Sequence, residues 1–185
     1  MSSIKPWRLL RSAIVFDERW YKLRRDWLIL PDGRSIDDYF VSMRPEVVLI
    51  FAITEEEEIV LVRQYKHGAG AILLEFPGGT FVPPTELGFD AARRELAEET
   101  GYTAPEMEFL GTAWDDPTRQ DNRINMYLAR NARRTQAQDL DEHEEIEVVL
   151  VSMRKFTQLV LTGEFCVTGS LALAFKALQA LKASR

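Results

Sequence analysis

Two apolar runs, residues 47–53 and 59–65, most constrain what this chain can fold into. Neither alternates polar and apolar residues, so neither suits a strand with one wet face. Both suit strands covered on both sides. Thr54 and the four glutamates from Glu55 to Glu58 separate the runs and fit the solvated tip of a hairpin. A sheet buried on both faces needs elements to cover it. Downstream, the pattern predicts a helix from about Phe89 to Thr100, stopped by Gly101, a residue suited to the left-handed position after a helix. Helices are also expected over 154–161 and 170–183, the second with apolar Leu171, Ala174, Leu178 and Leu181. Further strands are expected at 72–76, 109–114, 124–129 and 146–152. This order predicts a mixed sheet with helices on two faces. From Arg11 to Ser42 the pattern is strand-like, with Pro31-Asp32-Gly33 as the turn of a hairpin. Residues 1 to about 43 are expected to form a small β appendage.

Charge and composition exclude several functions. The chain has 23 Lys+Arg against 29 Asp+Glu, a net charge of -6, which disfavours broad nucleic-acid binding. One cysteine, Cys166, excludes an internal disulfide framework and a Cys-built zinc site; it is expected to pack as a small apolar residue. His67 and His143 are isolated in sequence. No apolar run approaches the roughly 20 residues of a membrane span, and no targeting segment is recognised. A soluble cytoplasmic protein is expected.

The segment Arg93-Arg94-Glu95-Leu96-Ala97-Glu98-Glu99-Thr100-Gly101 carries the chemistry. Positions three and four apart share one side of a helix, so Glu95, Glu98 and Glu99 gather on one flank. With Phe89, Ala92 and Leu96 as the apolar stripe, Glu95 and Glu99 fall beside it. Two like charges ~4–6 Å apart repel by roughly 3–4 kcal/mol at an effective dielectric near 20. A bound divalent cation offsets that cost. Carboxylates without His or Cys beside them favour Mg²⁺, then Mn²⁺, over zinc. A bare acidic helix is more often a solvated one, with ordinary pairs such as Arg94 with Glu98. The Gly78-Gly79 turn ahead of it shifts the balance, because glycine lets backbone approach a metal or phosphate closely.

Glu86, followed after seven residues by Arg94-Glu95-Leu96-x-Glu98-Glu99-x-Gly101-Tyr102, resembles the Nudix box of the Nudix hydrolases. The loop from Gly79 to Glu86 is one residue longer than the family pattern, with Thr80 at the strict position. The resemblance implies an α/β/α sandwich with a mixed β-sheet. It also implies hydrolysis of a nucleoside diphosphate linked to another group, with Mg²⁺ or Mn²⁺. It assigns Glu95 and Glu99 as metal ligands, with Glu98 close by, and adds the backbone carbonyl of Gly78. Arg94 would orient the carboxylates and Glu86 would pair with it. Gly79 and Gly101 would shape the motif.

The resemblance covers nearly the whole chain. The N-terminal β segment, Gln64-Tyr65 before Lys66, the run Leu74-Glu75-Phe76-Pro77-Gly78-Gly79 and a late acidic loop resemble the ADP-ribose and nucleotide-sugar pyrophosphatase branch. That branch implies an N-terminal antiparallel β extension, residues 1–43, that helps form a homodimer, and a catalytic domain over 44–185. It places a general base and a further metal ligand in Asp139-Leu140-Asp141-Glu142-His143-Glu144-Glu145-Ile146. These are Glu142 and Glu144, with Glu145 second in line as base. Trp20 is the first choice to stack on the base of the substrate. Arg44, Arg63, Lys66 and Arg119 are candidates for its phosphates, and Pro117 stands where the branch carries a proline beyond the box. Lys66 occupies a position that is often arginine in similar enzymes, which replaces a forked contact by a point charge. The expected substrate is ADP-ribose or a related nucleoside diphosphate sugar, with no nucleic-acid or membrane partner. Two other readings stay open: a pyrophosphatase for another nucleotide, such as a dinucleoside polyphosphate, a coenzyme or an oxidised nucleotide, and a non-catalytic sensor. Intact Glu95, Glu98 and Glu99 speak against the sensor.

Overall fold

Strand β4 (Glu46–Thr54) organises the larger part of the protein. The structure, a computed structural model, describes residues 4–19 and 21–183. Alternate side chains of β4 are buried on opposite faces of its sheet. Val48, Ile50 and Ala52 pack with Ala91, Ala92 and Leu96 of helix α1 (Gly88–Thr100). Phe51 packs with Phe156 of α2 (Met153–Thr162) and Leu173 of α3 (Thr168–Ala183). Both faces are dry, which is why the run shows no polar alternation.

Eight strands form this sheet. The others are β5 (Glu58–Lys66), β6 (Ala71–Glu75), β7 (Gly78–Phe81), β8 (Tyr102–Thr103), β9 (Glu106–Trp114), β10 (Arg123–Arg134) and β11 (Glu147–Ser152). The path is β11-β5-β4-β10-β8, with β6 on β5, β7 on β4 and β9 on β10. β10 runs parallel to β4, from Ile124 opposite Val47 to Ala129 opposite Ala52. The pairs β4–β5, β4–β7 and β11–β5 are antiparallel, so the sheet is mixed. The predicted mixed sheet with α1 on one face and α2 and α3 on the other is what the chain forms. Gly101, with φ 75°, ends α1 and donates its N–H to the Ala97 carbonyl at 2.8 Å.

Three local expectations need correction. The turn expected at Gly78-Gly79 is instead part of β7, where Gly78 pairs with Leu49 and Gly79 with Val48. Phe89 is not on the buried stripe of α1. It is 38% exposed and stacks under the Arg93 guanidinium at 4.7 Å, while the small Ala91 takes the inner position. Cys166 is exposed and does not pack as a core residue.

The chain divides into two compact units: the unit just described, Glu46–Ala113 with the chain from Ile124 onward, and a smaller one combining the N-terminal residues through Pro45 with Trp114–Arg123. In the smaller unit β1 (Arg8–Glu18), β2 (Tyr21–Ile29) and β3 (Ser35–Met43) form an antiparallel sheet in the order β1-β2-β3. Asp26 is buried there, accepting hydrogen bonds from Ser12 Oγ (2.6 Å) and Arg24 Nε (3.0 Å). The segment Trp114–Arg123 attaches to β3: Ser42 N–H donates to the Arg119 carbonyl (2.7 Å) and Asp121 N–H to the Ser42 carbonyl (3.3 Å). A division at residue 43 alone does not include that segment. Among the described residues, no helix is long and apolar enough to cross a membrane.

Phe156 is fully buried, with ring centroids 5.9 Å from Phe51, 5.7 Å from Phe76 and 5.0 Å from Phe165. Phe156→Ala leaves a cavity among rigid rings and should destabilise the fold by about 3–5 kcal/mol. Urea unfolding followed by circular dichroism should show a lower midpoint with an unchanged slope.

Candidate active site

Strand β7 requires glycine at two positions, Gly79 where it meets α1 and Gly78 where it meets β4. A Cβ on Gly79 would lie 2.3 Å from the Glu95 carboxyl carbon, and one on Gly78 would lie 2.1 Å from the Val48 carbonyl oxygen. The Gly78 N–H donates to Glu99 Oε2 at 2.8 Å, so Gly78 meets Glu99 through its amide. After β7 the chain turns on the Val82 carbonyl, which accepts the N–H groups of Thr85 (2.9 Å) and Glu86 (3.3 Å). Across this loop Glu86 still reaches Arg94 on the helix.

Arg94 is the hub of the carboxylates. Its Nε and Nη2 donate to the two oxygens of Glu86 (2.9 and 3.1 Å), and its Nη1 donates to Glu95 Oε1 and Glu98 Oε2, both at 2.8 Å. The hydrogen bonds from Arg94 hold the Glu86 carboxyl below its usual range. One guanidinium cannot balance three carboxylates and a fourth nearby. Burial pushes the Glu95 carboxyl up; Arg94 pulls it back, and the charges of Glu98 and Glu144 push it further up. Burial also pushes Glu99 up to about 8, helped by the charges of Glu95 and Glu144 and opposed by the Gly78 amide and the Lys66 charge. Glu95, Glu99 and Glu144 therefore face one another closely enough to repel.

Among the described residues no three His, Cys, Asp or Glu side chains are gathered into a ready-made ion cage. The exposed Glu144 instead accepts the Asp141 N–H at 3.1 Å. The donor chemistry still fits a divalent cation. It consists of carboxylate oxygens, two of the groups shielded from water, with more negative charge than Arg94 and Lys66 offset. A hard cation removes that mutual repulsion.

The other residues expected at the site are distributed unevenly. Lys66 makes an ion pair with Glu75 at 3.1 Å, and its charge reaches Glu99. Arg63 sits opposite Glu147 on the adjacent strand and pairs with it at 2.8 Å, so its side chain is engaged along the sheet rather than with the carboxylates of α1. Arg44, Pro117 and Arg119 belong to the smaller unit. There the Arg44 N–H donates to Asp121 Oδ1 at 3.1 Å. Trp20 lies outside the described residues. Trp27 lies between the guanidinium groups of Arg11 (3.6 Å) and Arg25 (4.8 Å). Glu142 and Glu145 are exposed in the acidic loop. Two residues escaped the sequence reading. Glu75 holds Lys66. Gln138 donates through Nε2 to the backbone carbonyls of both Glu99 (2.6 Å) and Ile146 (3.1 Å). Glu75 lies in the quoted run before the glycines but carried no role there, Gln138 lies in no motif, and only the folded chain brings them to their partners.

Residues 43–164 match the NUDIX domain, and residues 7–42 match the nucleoside diphosphate sugar hydrolase N-terminal domain. The chain belongs to the Nudix hydrolase family. It is 31% identical over 157 residues to the methanol dehydrogenase activator of Bacillus methanolicus, covering 83% of this chain and 82% of that protein. It is 30% identical over 136 residues to the ADP-ribose pyrophosphatase of Bacillus subtilis (strain 168), covering 73% and 72%. Its fold superposes on the crystal structure of an ADP compounds hydrolase with a TM-score of 0.86, at 24% identity over 100% of this chain and 98% of that one.

The raised Glu99 carboxyl gives this Nudix chain a pH-dependent stability without divalent ions. The native state keeps a proton on Glu99 up to about pH 8, whereas the unfolded chain releases it near 4.5. Between those values the unfolded state binds fewer protons, so stability falls as pH rises. Unfolding in chelator should show a loss on the order of a few kcal/mol from pH 5 to 8. Glu99→Gln should flatten that slope. Excess Mg²⁺ at pH 8 should raise the wild-type melting temperature and leave that of Glu99→Gln nearly unchanged.

Proposed function

We propose that the protein hydrolyses the pyrophosphate bond of ADP-ribose or a related nucleoside diphosphate sugar with Mg²⁺. The observation that carries this reading is the geometry of Glu95, Glu98 and Glu99, gathered beside β7 and held by the Arg94 guanidinium and the Gly78 amide, a group of oxygens that a cation and a polyanion would complete. A divalent cation bound there neutralises phosphate oxygens and lowers the pKa of an attacking water. The chain's own residues do the rest. Arg94 fixes the positions of Glu95 and Glu98, and the Gly78 amide fixes Glu99. Lys66 offers a positive charge to the diphosphate. Glu142 accepts the proton of the attacking water, with Glu145 as the other candidate base. Water adds to one phosphorus, the bridging P–O bond breaks, and a nucleoside monophosphate and a sugar phosphate leave. The names of two relatives, ADP-ribose pyrophosphatase and ADP compounds hydrolase, support this substrate class, as does the match of residues 7–42.

A second reading, hydrolysis of another nucleotide such as a coenzyme, has one observation in its favour. A relative with nearly the same identity to this chain is named for activating a dehydrogenase rather than for ADP-ribose.

The smaller unit supports a homodimer. All eleven residues of β1 are exposed, among them Leu9, Leu10, Ile14, Val15 and Phe16, and β1 is an edge strand. An edge strand this long and apolar calls for cover. Light scattering should give twice the 21.3 kDa chain mass.

Product analysis by chromatography should show AMP and ribose 5-phosphate from ADP-ribose only with Mg²⁺ or Mn²⁺. Glu99→Gln should lower kcat by roughly 10³-fold or more, on the scale of losing a main electrostatic contribution to the transition state. Glu142→Gln should lower it more than Glu145→Gln. Unchanged turnover in Glu98→Gln, Glu99→Gln and Glu142→Gln alike would refute these roles.

A further inference from the structure

The acidic loop that faces the site is held at both ends by a single side chain. Residues 139–145 contain five carboxylates in seven positions. Like charges so close in sequence repel one another, and one of them, Glu144, also opposes the Glu95 and Glu99 carboxylates. Left to electrostatics, such a loop would swing away from α1. Two groups oppose that at the C-terminal end of α1, where helix carbonyls lack partners within the helix. The Asp139 N–H donates to the Glu98 carbonyl at 2.9 Å. Gln138 Nε2 donates to the Glu99 carbonyl at 2.6 Å and to the Ile146 carbonyl at 3.1 Å. Ile146 is buried and leads directly into β11, so this second bond fastens the far end of the loop to a fixed strand. One amide nitrogen thus uses both its hydrogens to join the loop's exit to the helix that carries Glu95 and Glu99. A carboxylate of the same length has no hydrogen to give, and a hydroxyl has only one.

We propose that Gln138 is a positioning residue for hydrolysis: its amide closes the loop that carries Glu142 and Glu144 against the C-terminal end of α1. The role rests on the hydrolytic reading above. The loop's internal bonds complete the arrangement, since the Glu144 N–H donates to the Asp141 carbonyl (2.9 Å) and the Asp141 N–H to the Glu144 carboxylate (3.1 Å). These bonds give the loop a shape, and Gln138 aims that shape at the helix.

Two substitutions of the full-length protein test this. Gln138→Met keeps the length and removes both donors. Gln138→Asn keeps the amide but withdraws it by one carbon. Hydrogen exchange of peptides covering 139–145 should be slow in the wild type, faster in Gln138→Asn and fastest in Gln138→Met. On the best nucleoside diphosphate compound the wild type hydrolyses, kcat should fall in the same order, by roughly 10–100-fold for Gln138→Met, with KM nearly unchanged. Faster exchange with wild-type kcat would overturn the positioning role. Unchanged exchange in both variants would overturn the clasp itself. If Gln138→Met does not fold, as judged by circular dichroism, the comparison of Gln138→Asn with wild type decides. Should the wild type turn over neither ADP-ribose, ADP-glucose nor GDP-mannose but cleave another nucleotide, the substrate reading fails, and the same comparison on that nucleotide still tests Gln138.

Discussion

One guanidinium holds three carboxylates, and much of the site follows from that inequality. Arg94 grips Glu86 with two of its nitrogens and uses a third for both Glu95 and Glu98. The bond to Glu86 ties the helix to the loop in front of it. The bonds to Glu95 and Glu98 set the directions of side chains that would otherwise turn apart. Because Arg94 is fully engaged, it cannot also relieve Glu99. That carboxylate is left with one amide hydrogen bond and a distant lysine, and it carries a raised pKa as a result. An uncompensated buried carboxyl is costly in a structural protein. Here it is a reserve of attraction for a cation.

The fold makes this tension possible by bringing α1 into close contact with β7. Ala91 and Ala92 give the helix a thin inner face, and Gly79 removes the side chain that would meet Glu95. Glu99 lies on that inner face with Ala92 and Leu96, not at its edge. The opposite side of the sheet is filled separately, by the ring cluster of Phe51, Phe76, Phe156 and Phe165.

The central strands and the catalytic helix were legible in the sequence because each is a local pattern. Near-continuous apolar runs mark strands buried on two sides, and carboxylates three and four apart mark one flank of a helix. The spacing of Glu86, Arg94, Glu95, Glu98 and Glu99 was enough to suggest the family. What was hidden depends on contacts distant in sequence. Phe89 looks like a core residue by spacing alone, yet the small alanines beside it win the inner position and Arg93 covers it. Arg63 looked free for phosphate, but Glu147 stands opposite it on a strand more than eighty residues later. Gln138 has no pattern of its own. Its importance comes from two carbonyls that only the finished fold presents to it.

The parallel pairing of β10 with β4 bears on how the protein is made. β4 ends at Thr54, but the strand that completes its far side begins only at Arg123. A growing chain therefore carries a long, apolar and unpaired strand edge through the synthesis of roughly seventy residues, including the whole of α1. Pairings separated so widely in sequence form late, because a large loop must close before any contact repays it. The strand on which the sheet is organised is thus also the one most exposed to wrong partners during synthesis, and shielding by the ribosome or a chaperone would matter most in that interval.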